Sequence, residues 1–221
     1  MTSPTAAPRR ESLYPTRASA GAMLGQQIAA RGHIGCMLLG ITPEGVEIAA
    51  NAAKAMGSQF DVLVATFIRL GANVPPIGAI AEQVPSEMDP DFQPGMGILD
   101  KLTDAIDESR ARVSQDLVLY RTQRPVKTLS GKVAVIVDGQ VVWPWKVLAA
   151  AKAAEQLGAK RIVIATPVAT KEAAERIYAR RLELICPTIV MDKTGHPSPF
   201  GDVAGETPER LRSIMIAHQA A

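Results

Sequence analysis

Residues Lys132–Lys152 read KVAVIVDGQVVWPWKVLAAAK, and this stretch decides the fold. A continuous run of β-branched residues ends at Asp138-Gly139, and a short loop then leads into an Ala-rich helical pattern. Strand–loop–helix units of this kind hold phosphates in α/β proteins, because the amides at a helix start converge on the ligand. A phosphate cradle needs glycines and hydroxyls in that loop, and this chain carries Val142-Trp143-Pro144-Trp145-Lys146 instead. Pro144 has no N–H to offer, and two indoles fill volume that a phosphate would need. The scaffold of a phosphate site is legible while its chemistry is overwritten.

Outward from this unit, apolar runs alternate with helical patterns in the rhythm of parallel α/β units. Helices are predicted over Gly21–Arg31, Gly45–Met56, Ile98–Leu119, from Pro144 to a stop at Gly158, over Lys171–Arg181 and over Pro208–His218. Strands are predicted over Cys36–Ile41, Phe60–Phe67, Val133–Asp138, Arg161–Pro167 and Leu184–Val190. The stretch 68–97, rich in proline and acids, reads as one long irregular loop, and 191–207 as another. The expected class is α/β, with a central, mostly parallel sheet flanked by helices and a long flexible hood segment.

The chain has 221 residues, 47% of them hydrophobic, enough for one sizeable core without disulfides. Residues 1–12 are expected to form a disordered tail and 13–221 a single domain. A formal charge of +2 is too mild for a nucleic-acid surface. No apolar run reaches the about 18 residues of a membrane span, and the N-terminus lacks the apolar core of a secretory signal, so a cytoplasmic location is expected. Cys36 and Cys186 sit in or beside apolar runs and read as small buried residues. His33, His196 and His218 have no ligand-like spacing with each other or with the cysteines, and no metal is expected.

Several strings together resemble one family. They are Arg17 with Ala20-Gly21, LLGITPEGVEIA at Leu38–Ala49, IGAIAE at Ile77–Glu82, LYRTQRP through LSGK at Leu119–Lys132, VAVIVDG at Val133–Gly139 and IVIATPVA at Ile162–Ala169. From Leu13 to Met215 the chain resembles the type I phosphoribosyltransferase fold, especially bacterial phosphoribosyltransferase-domain proteins. The resemblance implies two acids after the strand that hold the ribose of phosphoribosyl pyrophosphate (PRPP). It also implies a Thr-Gly-x-Thr loop around the 5′-phosphate, a Pro-Arg-Gly-Gly segment for pyrophosphate, and a basic residue ending the second strand. Family members are commonly dimers.

At the matching positions, Asp138 keeps the first acid, Gly139 replaces the second, and Gln140 stands where a small residue is favoured. Trp143, Pro144, Trp145 and Lys146 replace the phosphate loop. Thr42, Pro43, Glu44 and Gly45 replace the pyrophosphate segment, placing a carboxylate where a polyanion should sit. Arg69 is the nearest substitute for the missing basic residue. Asp138 reads either as a ribose ligand or as a cap of the following helix, and Glu44 suits a helix start without any catalytic role.

Trp143 and Trp145 are the only tryptophans. They read as a core plug of the vacated cavity, as an anchor for a partner protein, or as a stacking surface for a base. Phe200 matches an aromatic in the family's substrate-contacting segment and joins them as a possible partner contact. The expected function is a non-catalytic homologue acting as a protein-binding subunit, assembly factor or regulator, with a protein partner or self-association and no cofactor. The alternative is a divergent enzyme using a phosphorylated ribose or nucleotide with Mg²⁺.

Overall fold

The computed structural model of the protein describes residues 12–41, 43–121, 128–191, 198–202 and 207–219. Its centre is a five-stranded parallel sheet in the order β2-β1-β6-β7-β9, formed by β1 (Met37–Ile41), β2 (Gln59–Leu63), β6 (Val133–Val137), β7 (Arg161–Ala165) and β9 (Glu183–Ile185). β1 is buried throughout and β6 at all but its first residue, as expected of inner parallel strands covered on both faces. In-register pairing sets Gly40 beside Val137, so the two strands end side by side.

Among the described residues, six helices complete the layers: α1 (Arg17–Ala30), α2 (Glu44–Met56), α3 (Leu99–Arg121), α4 (Trp145–Gln156), α5 (Lys171–Ala179) and α6 (Pro208–Gln219). α1 opens with a capping box, in which Thr16 and Ser19 satisfy each other's backbone N–H. Residues of α1 and α2 share one core cluster with Leu38, Val135 and Val163. Residues of α4 and α5 share a second with Leu39, Ile136 and Ile164. Alternate residues of each strand thus feed opposite faces. No helix among the described residues is long and apolar enough to cross a membrane.

Three stretches depart from the sequence reading. The run 60–67 is two strands, because Val64 leaves the parallel ladder to pair with Glu82: its N–H donates to the buried Glu82 carboxylate at 3.2 Å, and its carbonyl accepts the Glu82 N–H at 3.0 Å. Beyond it the chain enters β3 (Ala65–Ile68), which pairs antiparallel with β4 (Gly78–Ala81), itself paired with β5 (Glu87–Met88). The stretch 68–97 is therefore no single irregular loop, since it supplies two strands of an antiparallel hood lying against α4 and α3.

Pro187 divides the last predicted strand, and Pro167 ends the one before it. Neither can donate to a ladder, so each chain steps aside and resumes as β8 (Val168–Thr170) and β10 (Thr188–Val190), a separate two-stranded parallel sheet. Both cysteines are free thiols, and burial pushes Cys186 up to about 11. The tail expected at 1–12 lies, apart from Ser12, outside the described residues, as does much of the 191–207 loop.

Candidate functional site: a charged crevice at the sheet's switch point

Numbered within the parallel sheet alone, the strand order is 2-1-3-4-5, and the direction of winding reverses between β1 and β6. Ligands of doubly wound sheets bind at such a point, in the crevice beyond the strand ends. Here the chain leaves β1 into α2 and leaves β6 into α4, so Glu44, Asp138 and Lys146 are delivered to one place by three different segments. Lys146 Nζ lies 3.2 Å from Glu44 Oε2 and 3.4 Å from Asp138 Oδ2. Its side chain is only 9% exposed and that of Asp138 3%, against 49% for Glu44.

The titration of the three groups reflects this packing. Burial pushes Asp138 up, and the Glu44 charge adds to that, with Lys146 opposing. Burial works against a charged Lys146, but the two carboxylates outweigh it and hold the ammonium above its usual range. For Glu44, burial raises the carboxyl, yet Lys146, a backbone N–H and the Arg17 charge together bring it below the usual carboxylate range. The ammonium also lies 5.1 Å from the centre of the Phe67 ring, and the Arg69 guanidinium lies 5.0 Å from the same ring.

Gly45 and Gly139 make this closeness possible. A Cβ on Gly45 would stand 2.1 Å from the Val137 carbonyl oxygen, and one on Gly139 would stand 2.9 Å from Glu44 Cβ. An acidic residue at 139 is therefore sterically incompatible with Glu44 where it sits. The small residue at 139 and the close approach of the Glu44 segment are one packing solution.

The loop after β6 is laced to β8. Val141 N–H donates to the Val168 carbonyl at 2.9 Å, Thr170 N–H to the Val141 carbonyl at 3.0 Å, and the Thr170 hydroxyl to the Val142 carbonyl at 3.1 Å. The Gly139 N–H is held by Asp138 Oδ1 at 2.8 Å, so the amides of 139 and 141 are already committed. Pro144 is the N-cap of α4 and no side chain caps the helix, which corrects the reading of Asp138 as its cap. Gln140 is half-buried beside this loop, and Pro43 sits at the start of α2, likewise without a side-chain cap. Thr42 lies outside the described residues.

The two tryptophans part company. Trp145 is 2% exposed and belongs to the core, under the Arg176 guanidinium, which lies 5.5 Å from its ring centre. Trp143 is half-buried and lines a surface groove. Phe200 is also buried: it packs on Tyr14 at 6.1 Å between ring centres and under Arg17, whose guanidinium reaches Asp202 at 3.0 Å. Its place inside this clasp leaves it little surface to offer a partner. Arg69 shares the Phe67 ring with Lys146 and donates to the Val74 carbonyl at 2.7 Å.

Sequence reasoning singled out Glu44, Asp138 and Lys146 separately and did not see that they form one cluster. The reciprocal fit of Glu44 with Gly139 was the available signal. Sequence reasoning also missed Phe67, Glu87 and Arg176, which no local motif marks.

A doubly wound α/β protein with a crevice of this kind has informative relatives. The chain is 28% identical over 178 residues to "Putative phosphoribosyl transferase Rv0571c" of Mycobacterium tuberculosis H37Rv, an alignment covering 79% of this chain and 40% of that protein. The match to "Putative phosphoribosyl transferase MT0597" of strain CDC 1551 has the same extent. The chain thus spans about two fifths, 40%, of the length of these curated relatives. Among solved structures, TT1426 from Thermus thermophilus superposes with a TM-score of 0.75 at 26% identity, covering 92% of this chain and 98% of that one. The AQ2163 protein from Aquifex aeolicus shares the fold, with a TM-score of 0.51 at 10% identity and coverage of 80% and 76%. No protein-family model matches the chain. On this fold and these relatives, the chain is a type I phosphoribosyltransferase-fold protein.

Proposed function

We propose that this protein keeps the phosphoribosyltransferase fold as a binding scaffold and does not transfer phosphoribosyl groups at the switch-point crevice. It acts as a protein-binding subunit, assembly factor or regulator, alone or as a self-associated assembly. The observation that carries this reading is the seat of Lys146, between Glu44 at 3.2 Å and Asp138 at 3.4 Å. The lysine of that cluster is already matched by two carboxylates, so a polyanion such as PRPP would have to displace them to reach its charge. Phosphoryl and pyrophosphate groups need converging N–H donors and cations, and here the amides of Gly139 and Val141 are spent internally.

A second reading is a divergent phosphoribosyl-ligand enzyme, favoured by the names of the curated relatives and by the retained Asp138. In it Lys146 swings from the carboxylates to the ligand's phosphate, and Asp138 with Glu44 is freed for a Mg²⁺–ligand complex.

Calorimetric titration of PRPP with Mg²⁺ separates the two. The first reading expects no saturable heat and no rise in melting temperature. Saturable binding that raises the melting temperature, and is lost in Lys146→Met, would overturn it in favour of the second.

A further inference from the structure

A cavity of about 380 Å³ opens between the hood and the loop after β6, lined by Trp143 and by none of the Lys146 cluster. Its walls are Trp143, Phe92, Pro75, Pro76 and the aliphatic side chains of Leu70, Val74 and Ile77, and among the described residues its charged lining groups are Asp89 and Asp91. We propose that this cavity is a binding site for a small organic cation with an apolar body, an arylalkyl or alkyl ammonium or guanidinium, seated against Trp143 and Phe92 with its charge on Asp89 and Asp91.

The polar groups of the wall are selective. Pro75 and Pro76 have no N–H. The N–H of Ile77 goes to the Ile68 carbonyl at 3.0 Å, that of Asp89 to the Ile77 carbonyl at 2.8 Å, and that of Phe92 to the Asp89 carbonyl at 3.1 Å. The Asp91 N–H goes to Asp89 Oδ1 at 3.0 Å. Six of the nine wall residues (Pro75, Pro76, Ile77, Asp89, Asp91 and Phe92) therefore bring no spare amide donor. Both carboxylates remain as acceptors. A ligand's anionic or acceptor group would find few donors there, whereas a cationic donor finds carboxylates and two aromatic faces.

The carboxylates already share one cation. Arg176 pairs with Asp91 and lies 3.7 Å from Asp89 Oδ1, so two negative charges face one guanidinium. One carboxylate charge is left for a ligand, and Arg176 acts as its competitor. Arg69 holds the Val74 carbonyl and lines the neighbouring cavity between β3 and α3.

The test is calorimetric titration of the full chain with 4-phenylbutylammonium, 4-phenylbutanol and 4-phenylbutanoate, which share one apolar body. The ammonium should bind saturably and at least about tenfold more tightly than the alcohol, and the carboxylate more weakly than either. Arg176→Gln, which removes the competing cation, should tighten the ammonium several-fold, and Trp143→Ala should weaken it. Asp89→Asn with Asp91→Asn should erase the preference for the ammonium while the alcohol still binds. Equal binding of all three compounds would overturn the proposal, as would no saturable binding or an Arg176→Gln protein with unchanged affinity. The folding of each variant is checked by its melting temperature. Because none of the probes carries a phosphate, the outcome stands apart from whether PRPP binds in the crevice.

Discussion

The switch-point crevice and the hood edge both join carboxylates to cations, but they are built in opposite senses. In the crevice the buried partner is the cation, with Lys146 at 9% exposure reaching a buried Asp138 and a half-exposed Glu44. At the hood edge the buried partner is the acid: Glu87 is 3% exposed and is gripped by Lys152 and Arg180, which are 42% and 44% exposed. If the hood edge opens, its cations return to water at little cost. If the crevice opens, a lysine and an aspartate lose each other inside the core. The first is a fastening on the surface, and the second is part of the folded interior.

Lys146→Met tests this contrast most severely. It strands Asp138 in the core without a counter-charge, and urea unfolding should show a loss of about 3–5 kcal/mol. The loss should shrink in acid, where Asp138 takes up a proton. A loss below about 1 kcal/mol would show that the crevice is hydrated and the contrast false. Gly139→Ala comes next, at about 1–3 kcal/mol, because its Cβ meets Glu44 Cβ at 2.9 Å. In a Glu44→Gly background the same change should cost clearly less, and a double-mutant cycle on unfolding free energies reads that coupling.

Glu87→Gln should cost about 1–2 kcal/mol in the same assay, since its two cations stay accessible to water. A cost matching that of Lys146→Met would move the hood edge into the core and remove the distinction.

Glu44→Gln is the smallest, within about 1 kcal/mol at neutral pH for a half-exposed pair. Its clearest mark is in acid. The Glu44 carboxyl titrates below its ordinary value of 4.5 in the folded protein, so its contribution is present above that value. It is lost as pH falls through the lower, folded value. Melting temperatures measured from pH 6 downward should fall less steeply for Glu44→Gln than for the parent protein.

The sheet and its flanking helices were legible because each inner strand is a continuous apolar run and each helix keeps its period. The hood was not. IGAIA at Ile77–Ala81 is as apolar as any strand, but the surrounding prolines and acids mask it, and its partner β3 is hidden inside what reads as one long strand. The break at Val64 depends on Glu82, eighteen positions along the chain. No local pattern marks such a pairing.

The tryptophans make the same point within three residues. Composition shows only that both tryptophans of the chain stand in one loop. Trp145 begins α4 and turns into the core, while Trp143 precedes Pro144 in a loop tied to β8 and lines the groove below the hood.

By itself, then, the sequence determined the α/β class, the order of the main elements along the chain, and the residue types of the loops at the strand ends. These are local properties, written in periodicity and residue type. Tertiary structure alone decided that Glu44, Asp138 and Lys146 meet in one cluster, that a side chain at 139 would collide with Glu44, and that Asp89, Asp91, Phe92 and Trp143 share one cavity. The physical reason is the winding of the sheet. Reversal between β1 and β6 brings loops about a hundred residues apart to one crevice, and there charge and volume are balanced between segments that carry no record of each other.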